Sequence, residues 1–174
     1  GANDGRYNDP IYDFVKEHSE VTNIILVEPI ETIIPYLKEN YSYHPSAEVV
    51  NKAIGQKKDS LRLYGVKKEF WDDVNAGYGK DWPTYWAPTG VTTSNKDQLV
   101  DWVINNIESD KKPEEIIEQL DAEVVQPSSI LRESSIMNDL QLLQVDAEGM
   151  DDEIVYSFLN EGIFPNIINI ENRH

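Results

Sequence analysis

The chain of 174 residues contains no cysteine. That excludes a disulfide framework, a thiolate nucleophile and any cysteine-based zinc site. Histidine is nearly as scarce: His18, His44 and His174 are scattered, and none stands at metal-ligand spacing from another. Basic residues are few as well. Fifteen Lys+Arg face 32 Asp+Glu, a formal net charge of -17, which repels phosphate backbones and anionic lipid, so neither nucleic acid nor a membrane surface is expected as a partner. The basic clusters are no larger than the pairs Lys57-Lys58, Lys67-Lys68 and Lys111-Lys112, which read as solvated surface. No stretch approaches the roughly 18 consecutive apolar residues that a membrane span requires. The first residues also lack the charged-then-apolar pattern of a secretory leader. A soluble, cytoplasmic protein is expected.

What is present suffices for one globular domain: 40% of the residues are hydrophobic, and this length buries a sizeable core. The chain opens on Gly1-Ala2-Asn3-Asp4-Gly5, followed by Asp9-Pro10. Gly1 and Gly5 let the backbone bend sharply and approach a ligand, and Asp9 and Pro10 read as the N-cap and first position of a helix carrying Ile11, Phe14, Val15 and His18 on one face. His18 is expected to pack there. The apolar run Asn23 to Glu28 reads as a strand buried on both faces, and Glu28, 23 positions after Gly5, stands where a carboxylate grips ribose hydroxyls. A turn, a helix and an acidic strand end in this order form a nucleotide-type cradle.

Ile33 to Tyr41 returns to helical spacing with Pro35 in its first turn. Ala47 to Ile54 is a third element, and Ser60 to Val66 alternates as a strand in a hairpin or sheet extension. An aromatic stretch from about 67 to 90 holds Phe70, Trp71, Tyr78, Trp82, Tyr85 and Trp86 without a clear period. It reads either as a lid over a substrate or as a loop pinned by its own hydrophobic cluster. Ser94 with Asp97 resembles a capping box before a helix carrying Leu99, Trp102, Val103 and Ile107, with Trp102 in the core. A second short helix is predicted after Pro113 through Ile116, Ile117 and Leu120. Leu140 to Val145 is another buried strand, ending in Asp146-Ala147-Glu148-Gly149. A helix with Met150, Ile154, Val155, Phe158 and Leu159 on its apolar side follows, closed by Gly162, and Asn166 to Ile170 is the last strand. Strands alternating with helices imply an α/β fold with a mainly parallel sheet, helices on both faces, and ligands beyond the carboxyl ends of the strands.

Taken in order, Gly1-Ala2-Asn3-Asp4-Gly5 with Asp9-Pro10, Leu26-Val27-Glu28-Pro29, Asn51-Lys52-Ala53-Ile54 and Leu142-Leu143-Gln144-Val145-Asp146-Ala147-Glu148-Gly149 resemble the FkbM-type family of S-adenosylmethionine-dependent methyltransferases. The resemblance implies a Rossmann-like sheet, S-adenosylmethionine as cofactor, and a small-molecule or glycan hydroxyl as methyl acceptor. By position it assigns Gly1, Asn3, Asp4 and Gly5 to the methionine portion of the cofactor, Glu28 to the ribose, and Asn51 and Ala53 to the adenine. The family pattern has a strand before the glycine turn and strands after Glu171, so the resemblance also implies an incomplete domain lacking its first central and its C-terminal strands.

The residues that would remove the acceptor proton are Asp146, Glu148 and His174, the last just beyond a strand end. Asp146 and Glu148 have a structural reading too, as cap and first-turn support of the following helix. Asp151 and Asp152 read as complements to its dipole rather than as ligands, and no metal is expected. Two other functions stay open. One is a nicotinamide-dependent oxidoreductase, against which Asn3 stands where a dinucleotide fingerprint has its second glycine. The other is a non-catalytic binding domain whose acidic face meets a protein partner.

Overall fold

In a computed structural model the described residues are 1–74, 82–133 and 139–170. In chain order the elements are α1 (Tyr12–Glu17), β1 (Ile24–Val27), α2 (Ile34–Asn40) entered through a 3-10 turn at Glu31–Ile33, β2 (Ala47–Val50), β3 (Ala53–Ile54) and β4 (Asp59–Val66). A 3-10 helix at Lys68–Asp73, α3 (Trp86–Gly90), α4 (Lys96–Asn106) and α5 (Pro113–Ile116) come next. The chain continues through β5 (Ile117–Val125), α6 (Pro127–Glu133), β6 (Leu142–Val145), α7 (Asp151–Asn160) and β7 (Ile167–Ile170). The protein is mixed α/β with small, mostly parallel sheets. β1 pairs with β2, β6 with β7, and β5 lies between β3 and β4. The parallel registers run from Ile24↔Ala47 to Val27↔Val50 and from Leu142↔Ile167 to Val145↔Ile170.

The chain divides into two compact units, Gly1–Ser60 with Glu123–His174, and Leu61–Ala122. In the first, Val15, Leu26, Leu37 and Tyr41 form one buried cluster, and Leu143, Val145 and Phe158 form another. β6, α7 and β7 make the expected strand-helix-strand crossover. Gly162, at φ 75°, ends α7 with its own amide on Leu159 O and the Ile163 amide on Phe158 O, both at 3.0 Å, a left-handed cap that favours glycine. In the second unit the core is Val66, Trp71, Leu99, Val103, Ile107, Ile116 and Ile117. Trp71 is buried there and its indole N–H donates to Val66 O at 2.9 Å. Phe70 and Tyr85 pack against the same cluster, so these rings of the aromatic stretch are internal packing. Tyr78, with Gly77 and Gly79, lies outside the described residues.

Several expectations are corrected. The helical turn after Pro113 stops at Ile116, and Ile117 to Val125 is a nine-residue strand. The apolar positions 116, 117 and 120 match a helix face, but the ladders on either side of β5 claim its backbone. Asp9 does not cap a helix that begins at Pro10. Its Oδ1 accepts the Ile11 amide at 2.8 Å, a local Asx turn that delays the helix to Tyr12. The cap of α4 is Asn95, not Ser94: its side chain accepts from the Asp97 and Gln98 amides at 3.2 and 3.3 Å. His18 is exposed and stacks on Phe14, itself 55% exposed, so neither is core. Trp102 is half-buried.

The apolar strands are covered less than expected. Only Leu26 of β1 is buried, and all four residues of β7 are exposed. An apolar run records a tendency to be buried, whereas burial itself requires a neighbour on each face.

Candidate functional site

The site builds on the glycine turn. Asn3 and Gly5 take left-handed backbone at φ 46° and 66°, a conformation open to glycine and tolerated by asparagine. The Gly5 amide closes the turn on Ala2 O at 2.8 Å, and the Ala2 amide donates to Val27 O at 2.9 Å, tying the turn to the carboxyl end of β1. On the other side the Gly1 nitrogen donates to the carbonyl of Asp146, just past β6. The turn therefore bonds to the ends of two parallel strands in different sheets.

Gly5 has a second reason to be glycine. A Cβ there would lie 2.6 Å from Tyr41 Cε2 and 2.7 Å from Leu37 Cδ1, both residues of the core behind the turn. At Gly1 a Cβ would lie 2.7 Å from Glu28 Oε2.

Glu28 is 2% exposed. Its Oε2 accepts the Asn3 amide at 2.7 Å and its Oε1 accepts the Ile30 amide at 2.8 Å. The backbone is held equally well: the Glu28 amide donates to Val50 O at 3.0 Å, and Asn51 Nδ2 donates to Glu28 O at 2.9 Å. Burial pushes the carboxyl up from its ordinary range, while the Ile30 and Asn3 amide donors pull it back. Asp4 is also buried, 1% exposed. Its Oδ1 accepts the Arg6 and Tyr7 amides at 3.1 and 3.2 Å, and its carbonyl accepts from Asn40 Nδ2 at 2.8 Å. Asp4 thus organises the second half of the turn.

Asp146 is exposed and Glu148 half-buried. Glu148 is left-handed at φ 49° and is followed by Gly149 at φ 95°. For a glutamate this backbone costs on the order of 1–2 kcal/mol, a strain that recurs where a loop is held for function. The Asp151 carboxylate, at the start of α7, accepts the Ala147 and Gly149 amides at 3.1 and 3.3 Å. Asp151, Asp152 and Glu153 fill the first turn of α7, where negative charge complements the helix dipole.

The structure thus brings Gly1, Asn3, Asp4, Gly5, Glu28, Asn51 and Asp146 into one region through direct bonds. Ala53 is buried in β3, paired with Val124. His174 and Glu171 lie outside the described residues.

Sequence reasoning missed Asn40, Tyr41 and Asp9 as parts of the region. Asp9 is half-buried, and burial, with the charges of Asp4 and Asp146, raises its carboxyl despite the backbone donors of Ile11 and Tyr12. Its acidic type beside the glycine turn was the one signal available. Asn40 and Tyr41 sit at the end of α2, far along the chain, and nothing local marks them.

No family model matches this chain, and neither a curated protein nor a solved structure matches it.

Proposed function

We propose that this protein is an S-adenosylmethionine-dependent methyltransferase acting on a hydroxyl of a small molecule or glycan, with β1–β2 and β6–β7 as the two halves of one Rossmann-like sheet. One observation carries the reading: the glycine turn is hydrogen-bonded at once to the end of β1, through Ala2 and Val27, and to the end of β6, through Gly1 and Asp146. Ligands of parallel α/β sheets bind beyond the carboxyl ends of the strands, where the halves meet.

The residues present fit the cofactor in part. The left-handed turn offers close backbone approach, and the exposed residue Asp146 is bonded to it through its carbonyl. Glu28 fits once the Asn3 amide gives up its Oε2, because both carboxylate oxygens are already engaged and buried. When bound, the cofactor supplies a sulfonium methyl group for in-line displacement. Asp146 or Glu148 then receives the acceptor's hydroxyl proton, and Gly1, Asn3, Asp4 and Gly5 shape the cradle.

The test is thermal denaturation of the full chain with and without S-adenosylhomocysteine, which stabilises a folded protein that binds it by about 2.7 kcal/mol at a hundredfold excess over Kd. A concentration-dependent rise in Tm that Glu28→Ala abolishes supports the reading. An unchanged Tm at millimolar ligand overturns it.

A further inference from the structure

His44 lies outside the candidate site, in the turn between α2 and β2, and is 6% exposed. Its Nδ1 accepts the Ser46 amide at 3.1 Å. A ring nitrogen that accepts an N–H carries no proton, so the ring proton is on Nε2, and Nε2 stands 3.0 Å from Thr22 Oγ1. The Thr22 hydroxyl donates to His18 O at 2.9 Å, leaving its oxygen as the acceptor for Nε2–H. The donors run consistently in this one direction, and the imidazole is neutral.

The bonds extend into the sheet. The Ser46 carbonyl accepts the Ile24 amide at 3.4 Å, where the β1–β2 ladder starts with Ile24 opposite Ala47. The His44 amide donates to Tyr41 O at 3.0 Å at the end of α2. The neutral ring thus ties the segment after α1 to the entry of β2, while the residue's own amide holds the end of α2.

We propose that His44 is an acid-released latch: a second proton, taken from solvent onto Nδ1, removes the acceptor of the Ser46 amide and frees the turn that leads into β2. With Nδ1 protonated, two N–H donors face each other. Burial works against the charged ring, and Glu20, on the segment after α1, works for it. The Tyr43 ring, 6.1 Å from the imidazole, is a further titratable neighbour, and its hydroxyl stays neutral throughout the acid range. The neighbouring His18 enters through its carbonyl, while its own ring stacks on Phe14 at 4.5 Å.

The sign follows from linkage. With the folded ring below its ordinary value of 6.5, the unfolded chain binds the extra proton first, so the latch holds above that value and loosens as pH falls beneath it.

The experiment is a nitrogen and carbon NMR titration of the full chain from pH 8 to pH 5. At pH 8 His44 is expected as the Nε2–H tautomer, with a midpoint below 6.5, and the Ser46 and Ile24 amide signals are expected to move with that same midpoint. Titration of His44 at or above 6.5, an Nδ1–H tautomer, or a Ser46 amide that ignores the transition overturns the latch. In His44→Gln the side-chain oxygen still accepts but does not titrate, so the Ser46 amide is expected to become insensitive to pH. A Ser46 transition that persists in that variant also overturns it. The unmodified chain decides the question even where the variant fails to fold.

Discussion

The amide of Asn3 donates to Oε2 of Glu28 at 2.7 Å, across 25 positions of sequence. This bond makes the glycine turn and the end of β1 one object. The same carboxylate holds the Ile30 amide with its other oxygen, so one side chain fixes both the turn before β1 and the chain leaving it. If Glu28 also serves a ribose, as proposed, the ligand hydroxyls exchange with the Asn3 amide rather than fill an empty acceptor.

Glu28→Ala is expected to destabilise the protein. It strands two amide donors in a buried place, each at about 1–3 kcal/mol, against which the relief of a buried charge works. A net loss on the order of 2 kcal/mol is expected, read as a lower urea midpoint at unchanged m-value.

Gly5→Ala and Gly162→Ala separate backbone strain from crowding. Both positions are left-handed, at φ 66° and 75°, and share a cost of about 1–2 kcal/mol. At Gly5 the new methyl also meets Tyr41 and Leu37 at 2.6 and 2.7 Å, whereas at Gly162 nothing lies within 4 Å. Gly5→Ala is therefore expected to cost more by a further ~1–3 kcal/mol of overpacking. Equal losses in chemical denaturation contradict the packing described behind the turn.

Tyr41→Phe is expected to stabilise. Among the described residues the buried Tyr41 hydroxyl has no hydrogen-bond partner, and burial together with the Asp9 and Asp4 charges pushes the phenol well above its usual range. Phenylalanine keeps the ring that packs edge-on against Tyr12 at 5.7 Å and removes the unsatisfied oxygen, worth about 1 kcal/mol. A lower Tm for this variant shows that the hydroxyl has a partner.

Asp9→Asn carries a pH signature. The Asp9 carboxyl is raised above 3.8 by burial and by Asp4 and Asp146, so the unfolded chain releases its proton first and the wild type loses stability as pH rises from that value through the folded titration. Asparagine keeps an oxygen for the Ile11 amide without the charge. The variant is expected to match the wild type near pH 3 and to be the more stable at pH 7, by urea unfolding at both values. A difference of the same size at both ends refutes the assignment.

Parts of this protein are legible locally. β6, α7 and β7 follow from two apolar runs, a helical stripe and Gly162, because each signal acts within a few residues of the structure it produces. The glycine turn is legible for the same reason, since left-handed backbone at Gly5 requires the residue type. Elsewhere local signals misled. Ile116, Ile117 and Leu120 stand at helical spacing, yet β5 forms because neighbouring strands take up its amides and carbonyls. Ser94 and Asn95 are both competent caps, and the backbone angle at entry selects Asn95.

From residue types and spacing alone follow the absence of thiol chemistry, a strongly acidic character, an α/β alternation and a sharp turn facing an acidic strand end. Only the folded chain decided that Glu28 is buried with both oxygens occupied, that Asn40 and Tyr41 support the turn from the end of α2, and that the Asp151 carboxylate holds amides of the loop after β6. Local rules specify which conformations a residue accepts. Which carboxylate meets which amide is set by chain paths separated by tens of residues, and by the cost of leaving any buried donor unpaired.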